Sequence, residues 1–573
     1  EEAALVETTV SPSAASGPAL GLRARLALLA ALLVVPVFFA LVGTPQGHSY
    51  GFNLSWHVAF EAAQAQGAVY PRHLPELNFG VGGLDFFFYG PLPFFLSAGP
   101  AAWLCPGCTP QTVFGLAGGM LLSASMLAFW PLARRVAPPR AAAIGCVIYA
   151  VLPYHLGIDW GLRQAAGEFA AYAFLPLVAV GQMDWLSRGR PGLAFPLGLA
   201  GVILCHLPTA LLAAHVFGVI ALAWALAHPA AALPRLAGLA GMGIAGGALA
   251  GLYWLPALVL LGDVSPEALY TAHHQPRTWL LPSEGPMPDP GMILLAVGAA
   301  LAGGAVSAAA IAFAPKGARQ TLWLWTALPI LTVLFLNSWA SAPIWDRWII
   351  DRVQFPFRLF VFADLATALA AAALAGHICA GQSRARRVTA AAGLGALALC
   401  AIAGLGLSAD RFANGVRLKG ANVRMIAPIE YHPPALAAAV ARAAAAAGYD
   451  DWRVLRVIGE NLDAFHMGAA PRERLEIRPR RWVFTAEASG PVTLAAPYWR
   501  HMRAETEGGA PVDLAPEPLW GRVTFEAPPG ARSIIVSLPL HWSEWAGFAL
   551  LLAGLAGCVG VGVLGLRKTG DME

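Results

Sequence analysis

Apolar residues run along this chain in long stretches, not in the short alternating blocks of a water-soluble fold. Crossing a bilayer as helix takes about 20 apolar residues. Twelve stretches approach or exceed that length: 24–44, 112–131, 141–156, 165–183, 193–205, 208–227, 234–253, 291–313, 321–336, 358–379, 388–407 and 544–566. The pair 193–205 and 208–227 is split by His206, Leu207 and Pro208, and its first member is short. Gly and Pro inside these runs do not argue against helix, because membrane helices tolerate both. A further apolar run, 86–104, is cut by Pro91, Pro93 and Pro100 and reads as an interfacial or re-entrant segment in short pieces. Just before it, 53–67 mixes Leu54, Val58 and Phe60 with Trp56, His57, Glu61 and Gln64. That pattern predicts an amphipathic helix lying on the outer surface.

Beyond 407 the pattern changes. An Ala-rich helix is expected over 434–447. Strand-like runs then appear near 481–486 and 533–538, with turn signals at Gly508-Gly509 and Pro528-Pro529-Gly530. A small β-sandwich is the expected outcome. Composition sharpens this division. The chain of 573 residues is 57% hydrophobic and 12% charged, with a mean hydropathy of +0.60. The charged share is about half the ~25% of an ordinary soluble domain. Residues 407–543 hold 30 of the 70 charged residues. A single soluble globule is excluded, as are a disordered chain and a nucleic-acid partner, since the net charge is only +4.

The expected fold is therefore a membrane all-α polytopic bundle of about twelve spans with a C-terminal outward α+β or β-sandwich domain. Its parts are a disordered inside tail (1–23), a membrane body (24–406) with a first outer loop (45–111), the outward domain (407–543), and a last span with an inside tail (544–573). Orientation follows from basic residues in short loops. With the N-terminus inside, fifteen lie inside, from Arg23 to Lys568, against six in the outer loops 45–406. Both termini are then cytoplasmic. Five of the seven cysteines sit in apolar spans, where they act as small hydrophobes. Cys105 and Cys108 share an outer loop and are expected to form a disulfide, a two-Cys metal site having no visible partners nearby.

Ionisable groups near membrane depth are expensive, so they are candidates for function. Four outward places collect them. The first outer loop holds His48, His57, His73, Glu61, Glu76, Asp85 and Arg72, a set suited to a polar or anionic substrate and to a metal; singly, each could be a solvated interfacial charge. Asp159, Arg163 and Glu168 lie at the outer start of the fourth stretch. Asp159 and Arg163 pair if that turn is helical, whereas Arg163 and Glu168, five apart, do not stack on one helical face. His206 either lines a cavity or satisfies a broken helix end. Arg358 begins a span on the outer face, where it either grips a phosphate in bidentate fashion or snorkels to headgroups. No Walker loop, Rossmann glycine pattern, nucleophile elbow or His-Glu-x-x-His is present, which argues against an ATP-driven pump and a membrane metalloprotease.

Several motifs in order carry a family resemblance. They are Tyr70-Pro71-Arg72, Asn78-Phe79-Gly80-Val81-Gly82, Phe88-Tyr89-Gly90-Pro91, Arg163 through Glu168, His206-Leu207-Pro208-Thr209, Trp254-Leu255-Pro256, Gln354 through Arg358, Glu430-Tyr431 with Pro433, and the late Tyr498-Trp499, Gly508-Gly509 and Gly521-Arg522-Val523. Together they resemble bacterial polytopic membrane proteins labelled pyruvoyl-tetrahydropterin-synthase-related, which are similar to C-type glycosyltransferases. The resemblance implies residence in the bacterial inner (plasma) membrane, with the C-terminal domain periplasmic or extracellular. It implies transfer of a sugar from a polyprenyl-phosphate donor on the outer face, with the lipid phosphate held by basic groups or by a divalent cation such as Mg or Mn. An acid in the first outer loop is expected as base or metal partner. Here the position of that acid is Ser49, and serine is neither a base at neutral pH nor a good divalent-metal ligand.

The expected roles are Asp85, Asp159 or Glu168 as the acid, Arg163 and Arg358 on the donor phosphate, and His48, His57, Arg72 and His206 in substrate binding. The alternative is a non-catalytic accessory or scaffold subunit that keeps the fold. A lipid or polysaccharide flippase is a third reading, which a large outer domain fits poorly. Membrane lipid is an expected partner, and the outer domain leaves room for a protein partner.

Overall fold

A computed structural model describes residues 22–266, 274–283, 286–347, 349–379, 383–423, 425–426, 428–446, 448, 465–486 and 489–570. Nearly all of the expected inside tail lies outside these residues. Each of the twelve apolar stretches contains helix, and among the described residues ten helices are long and apolar enough to cross a membrane. Their starts follow simple chemistry. Proline opens helices at Pro110, Pro139 and Pro290, where no N–H is needed. Thr109 and Asp289 cap two of these ends by accepting from the Thr112 and Met292 N–H groups, each at 3.3 Å.

Small residues set the packing. A Cβ on Gly115 or Gly119 would come within 2.6 Å of the backbone of helix Leu22–Val42, so only glycine admits that close crossing. Helix Pro356–His377 is the enclosed centre of the bundle. Leu33, Leu233 and Val559 are among the large apolar side chains that face outward, as a lipid-exposed surface requires.

One expectation is corrected, the surface placement of 53–67. Helix Arg384–Arg417 continues ten residues past 407. The 86–104 run forms short pieces up to Leu104, as its prolines imply, and they cover helix Tyr50–Ala65. That helix is not a surface element: Asn53, Trp56, His57 and Phe60 are all buried.

Beyond helix Arg384–Arg417, the described residues of the C-terminal domain contain helix Pro434–Ala446 and eight strands. These are β1 (Leu475–Arg478), β2 (Arg481–Thr485), β3 (Gly490–Pro497), β4 (Arg503–Thr506), β5 (Pro511–Val512), β6 (Ala515–Pro516), β7 (Arg522–Ala527) and β8 (Ser533–Ser537). They pair antiparallel into two sheets, β1-β2-β8-β4-β5 and β3-β7-β6. Alternation along β2 turns Trp482 and Phe484 inward, and Phe484 meets Phe525 of the other sheet at 6.0 Å between ring centres. Leu84, Phe87, Leu260 and Val264 of the membrane body join the same core, so the sandwich is seated on the outer loops.

Candidate functional site

The site grows out of an irregular helix. Pro153–Arg163 winds as a wide π-helix, and Gln164 then takes a left-handed φ of +52° that ends it. A left-handed non-glycine residue is held only by its surroundings. Here Asn53 Nδ2 donates to the Gln164 carbonyl at 2.5 Å, and the Ala165 N–H donates to the Asp159 carbonyl at 2.9 Å. The kink turns the next helix, Ala166–Ala171, so that Glu168 faces back toward Arg163. Spacing on a regular helix would not bring these two together. The π-turn and the break are the reason that they meet.

Arg163 Nη1 donates to Tyr154 Oη at 2.9 Å, Asp159 Oδ1 at 2.9 Å and Glu168 Oε2 at 3.0 Å. Tyr154 in turn donates to Glu168 Oε1 at 2.7 Å. Arg358 Nε lies 3.4 Å from Glu168 Oε2, in ion-pair range but not aligned as a hydrogen bond, while its Nη1 donates to the Val353 carbonyl at 2.7 Å. Phe357 and Phe355 lie under the two guanidinium planes, at 4.9 and 4.8 Å. The two carboxylate side chains are fully buried, while the Arg163 and Arg358 side chains keep 10% and 11% of their surface open. Asp159 Oδ2 has no hydrogen-bond partner. The cluster thus pairs two guanidinium groups with two carboxylates and leaves unused hydrogen-bonding capacity on both.

The first outer loop docks on this turn. The His48 and Ser49 N–H groups donate to the Leu162 and Arg163 carbonyls, both at 3.0 Å. Gly47 is required there, since a Cβ would sit 2.8 Å from the Arg163 backbone. His48 borders the cluster, where partial burial and then the positive charge of Arg163 and Arg411 hold its pKa below the ordinary range. His206 donates or accepts through Nδ1 with Thr209 Oγ1 at 2.8 Å and feels the charges of Arg358 and Arg163. Four of the sequence candidates, Asp159, Arg163, Glu168 and Arg358, are therefore in contact, with His48 and His206 at their edge.

The remaining candidates lie elsewhere. Asp85 is buried, accepts from Trp56 Nε1 at 2.9 Å through Oδ1, and leaves Oδ2 unpartnered. Burial pushes its pKa up to about 7. Glu430 is raised to about 7 as well, by burial and by the nearby charge of Asp85. Tyr89 packs on Trp56 with ring centres 4.3 Å apart and planes tilted by 38°, and it feels the charges of Arg358 and Arg163. His57 is buried against Ser97 Oγ at 3.1 Å, and burial lowers its pKa to about 4. Arg72 reaches Glu544 at 3.2 Å and the Leu252 carbonyl at 2.5 Å. Neither His57 nor Arg72 contacts the cluster, because their loop folds inward on itself and toward the last helix. Cys105 and Cys108 are joined by a disulfide.

No family model and no curated protein sequence matches the chain. Among solved structures, it is similar to the arabinofuranosyltransferase AftD from Mycobacteria, at 18% identity over 76% of this chain and 29% of AftD, with a TM-score of 0.41. It is also similar to ArnT from Cupriavidus metallidurans, a structure bound to undecaprenyl phosphate, at 12% identity over 88% of this chain and 97% of ArnT, with a TM-score of 0.42. The chain spans less than a third of AftD.

Two members of the buried polar set escaped the sequence reading. Tyr154 bridges Glu168 and Arg163, and no spacing rule points to it. Asp364, buried in the central helix, accepts from the His155 N–H at 3.0 Å and from Tyr172 Oη at 3.3 Å. A lone acid inside an apolar span was the available signal for Asp364. Among the described residues no three His, Cys, Asp or Glu side chains gather as a metal site. The carboxylates of the cluster already face guanidinium groups, so this donor set does not suit a divalent cation.

Proposed function

We propose that this membrane protein transfers a sugar from a polyprenyl-phosphate donor on the outer face of the bilayer. The observation that carries the reading is the contact of Arg163 and Arg358 with the shared carboxylate of Glu168, each guanidinium keeping an open edge. A departing lipid phosphate needs concentrated positive charge, and planar guanidinium groups supply it without a metal. Glu168 has both oxygens engaged, so its role is to position the two arginines. Asp159 keeps a free oxygen, Oδ2, and is the base of the proposal. An acceptor hydroxyl attacks the anomeric carbon, its proton passes to Asp159, and the bond from that carbon to the phosphate oxygen breaks. The phosphate leaves onto Arg358 and Arg163.

The test is transfer from a lipid-linked sugar by the full chain in vesicles. Arg358→Ala is expected to lower the rate by about 10²–10³, the usual cost of removing one group that stabilises developing charge. Full transfer by both Arg358→Ala and Glu168→Gln would overturn the role assignment.

A second reading has one observation in its favour. Ser49 stands where the resembling family carries an acid, and its N–H is bonded to the Arg163 carbonyl, so the missing acid would have bordered the cluster. On that reading the protein is a non-catalytic subunit that keeps the fold. It predicts no transfer by the native chain and a gain of transfer in Ser49→Asp.

A further inference from the structure

The solvent face of the five-stranded sheet sorts its charges by distance from the membrane. β8 ends at Ser537, and the chain then passes through Leu540 into the last helix, Trp542–Gly570. Arg480, in the turn between β1 and β2, is bonded to Glu544 in the first turn of that helix, at the seam between the sandwich and the membrane body. The membrane end of the sheet is therefore the end that carries Ser537. Strand register lines up four residues there: Arg478 lies opposite Arg481, Arg481 opposite Ser537, and Ser537 opposite Arg503. All three arginines are exposed, since alternation turns Trp482, Ala504 and Val536 inward. The next row on this face is Glu476, Val483, Ile535 and Glu505, two residues farther from the membrane along each strand. Like charges directly opposite each other destabilise a sheet. Arg478 is relieved, because its Nε donates to Glu476 Oε1 at 2.6 Å. Among the described residues no carboxylate pairs with Arg481 or Arg503. Toward the membrane, Leu540, Trp542 and Trp545 are large exposed apolar side chains. Tryptophan in such a place marks the level of the lipid headgroups.

We infer that this arginine row binds the phosphates of anionic phospholipids in the leaflet on the sandwich side. Charge complementarity and continuity with the last helix both point to that occupant. Ser537 is five residues from Trp542, at most about 18 Å of chain, and an arginine stem can lean toward the headgroups. Guanidinium groups match phosphate oxygens in planar, bidentate fashion. A soluble polyanion would meet the glutamate row as well as the arginines. A lipid phosphate comes from the membrane side and meets the arginines first. None of these residues belongs to the Arg163–Glu168 cluster, so this binding is independent of the transfer chemistry.

The experiment is native mass spectrometry of the full chain in detergent, with phosphatidylglycerol as the probe and phosphatidylcholine as the neutral control. Phosphatidylglycerol is expected to bind at least tenfold more tightly. Arg481→Gln combined with Arg503→Gln is expected to lower its affinity about 25-fold, roughly fivefold for each arginine. Arg481→Lys combined with Arg503→Lys keeps the charge and is expected to stay within severalfold of the native chain. Glu476→Gln frees Arg478 and is expected to tighten binding severalfold, which a folding defect could not do. Higher ionic strength is expected to narrow the preference, because exposed charge is screened. Equal affinity for the two lipids, or an unchanged preference in the double Gln variant, would overturn the assignment. So would equal binding of glycerophosphoglycerol, the same headgroup without acyl chains, which would make the row a site for a soluble phosphate and not for a membrane lipid.

Discussion

Among the described residues, two glutamates are each bridged by two arginines, and they are built differently. Glu544, at the start of the last helix, accepts from Arg480 Nη1 at 3.1 Å and from the His541 N–H at 3.0 Å through Oε1. Its Oε2 takes Arg480 Nη2 at 2.6 Å and faces Arg72 Nε at 3.2 Å. Both oxygens are saturated, one arginine is bidentate, and the three residues come from the first outer loop, the sandwich and the last helix. This is a clasp that holds the outer domain on the membrane body. Glu168 also engages both oxygens, but its neighbours do not balance. Arg358 Nε is misaligned, and Asp159 beside it has a free oxygen. The same residue types thus meet in a clasp where both carboxylate oxygens are held, with Arg72 Nη1 left over, and in a cluster where a whole carboxylate oxygen, Asp159 Oδ2, is left free for the proposed chemistry.

Removing the glutamate tests the contrast most strongly. Glu544→Ala leaves Arg72 buried and Arg480 half-buried without a counter-charge, and breaking a buried pair this way costs about 3–5 kcal/mol. Glu168→Ala leaves Arg163 still bonded to Asp159 and Tyr154, so a smaller loss of about 1–3 kcal/mol is expected. Thermal unfolding of the two variants under one set of conditions ranks them. The reverse order would show that the inner cluster, not the seam, carries the attachment.

The next effect concerns pH at Asp85. Its folded pKa of about 7 lies above the ordinary 3.8. Between those values the folded chain keeps a proton that the unfolded chain has lost, so stability falls as pH rises. The slope is about 1 kcal/mol per pH unit, and the penalty is complete above about 7. Asp85→Asn is expected to flatten the melting temperature against pH between 5 and 7. An unchanged slope would place the titration elsewhere, Glu430 being the first alternative.

The bundle was legible in the sequence because lipid imposes long apolar stretches, and the sandwich because charge and alternation return after the bundle. The site was legible only as a list. Asp159, Arg163, Glu168 and Arg358 stood out as charges at membrane depth, yet spacing argued against the contact of Arg163 with Glu168. The π-turn over Pro153–Arg163 and the left-handed Gln164 decide it, and neither leaves a periodic signature. His57 and Arg72 misled for the opposite reason. They share a crowded polar loop with His48, but tertiary packing sends them to Ser97 and Glu544.

The smallest change separates positioning from simple packing in the inner cluster. Tyr154→Phe keeps the ring and removes one hydroxyl, which donates to Glu168 and accepts from Arg163. The stability cost is about 1 kcal/mol, the usual worth of such a bond. The effect on transfer is the informative part. If the arginines mainly hold the donor before reaction, loosening Glu168 raises KM and leaves kcat alone. If they receive the phosphate as it leaves, kcat falls with kcat/KM, because the lost alignment matters only once charge has developed. The proposed mechanism requires the second result, since Tyr154 orients the carboxylate that spaces both guanidinium groups. A pure rise in KM would keep the phosphate site and move the catalytic role away from these arginines.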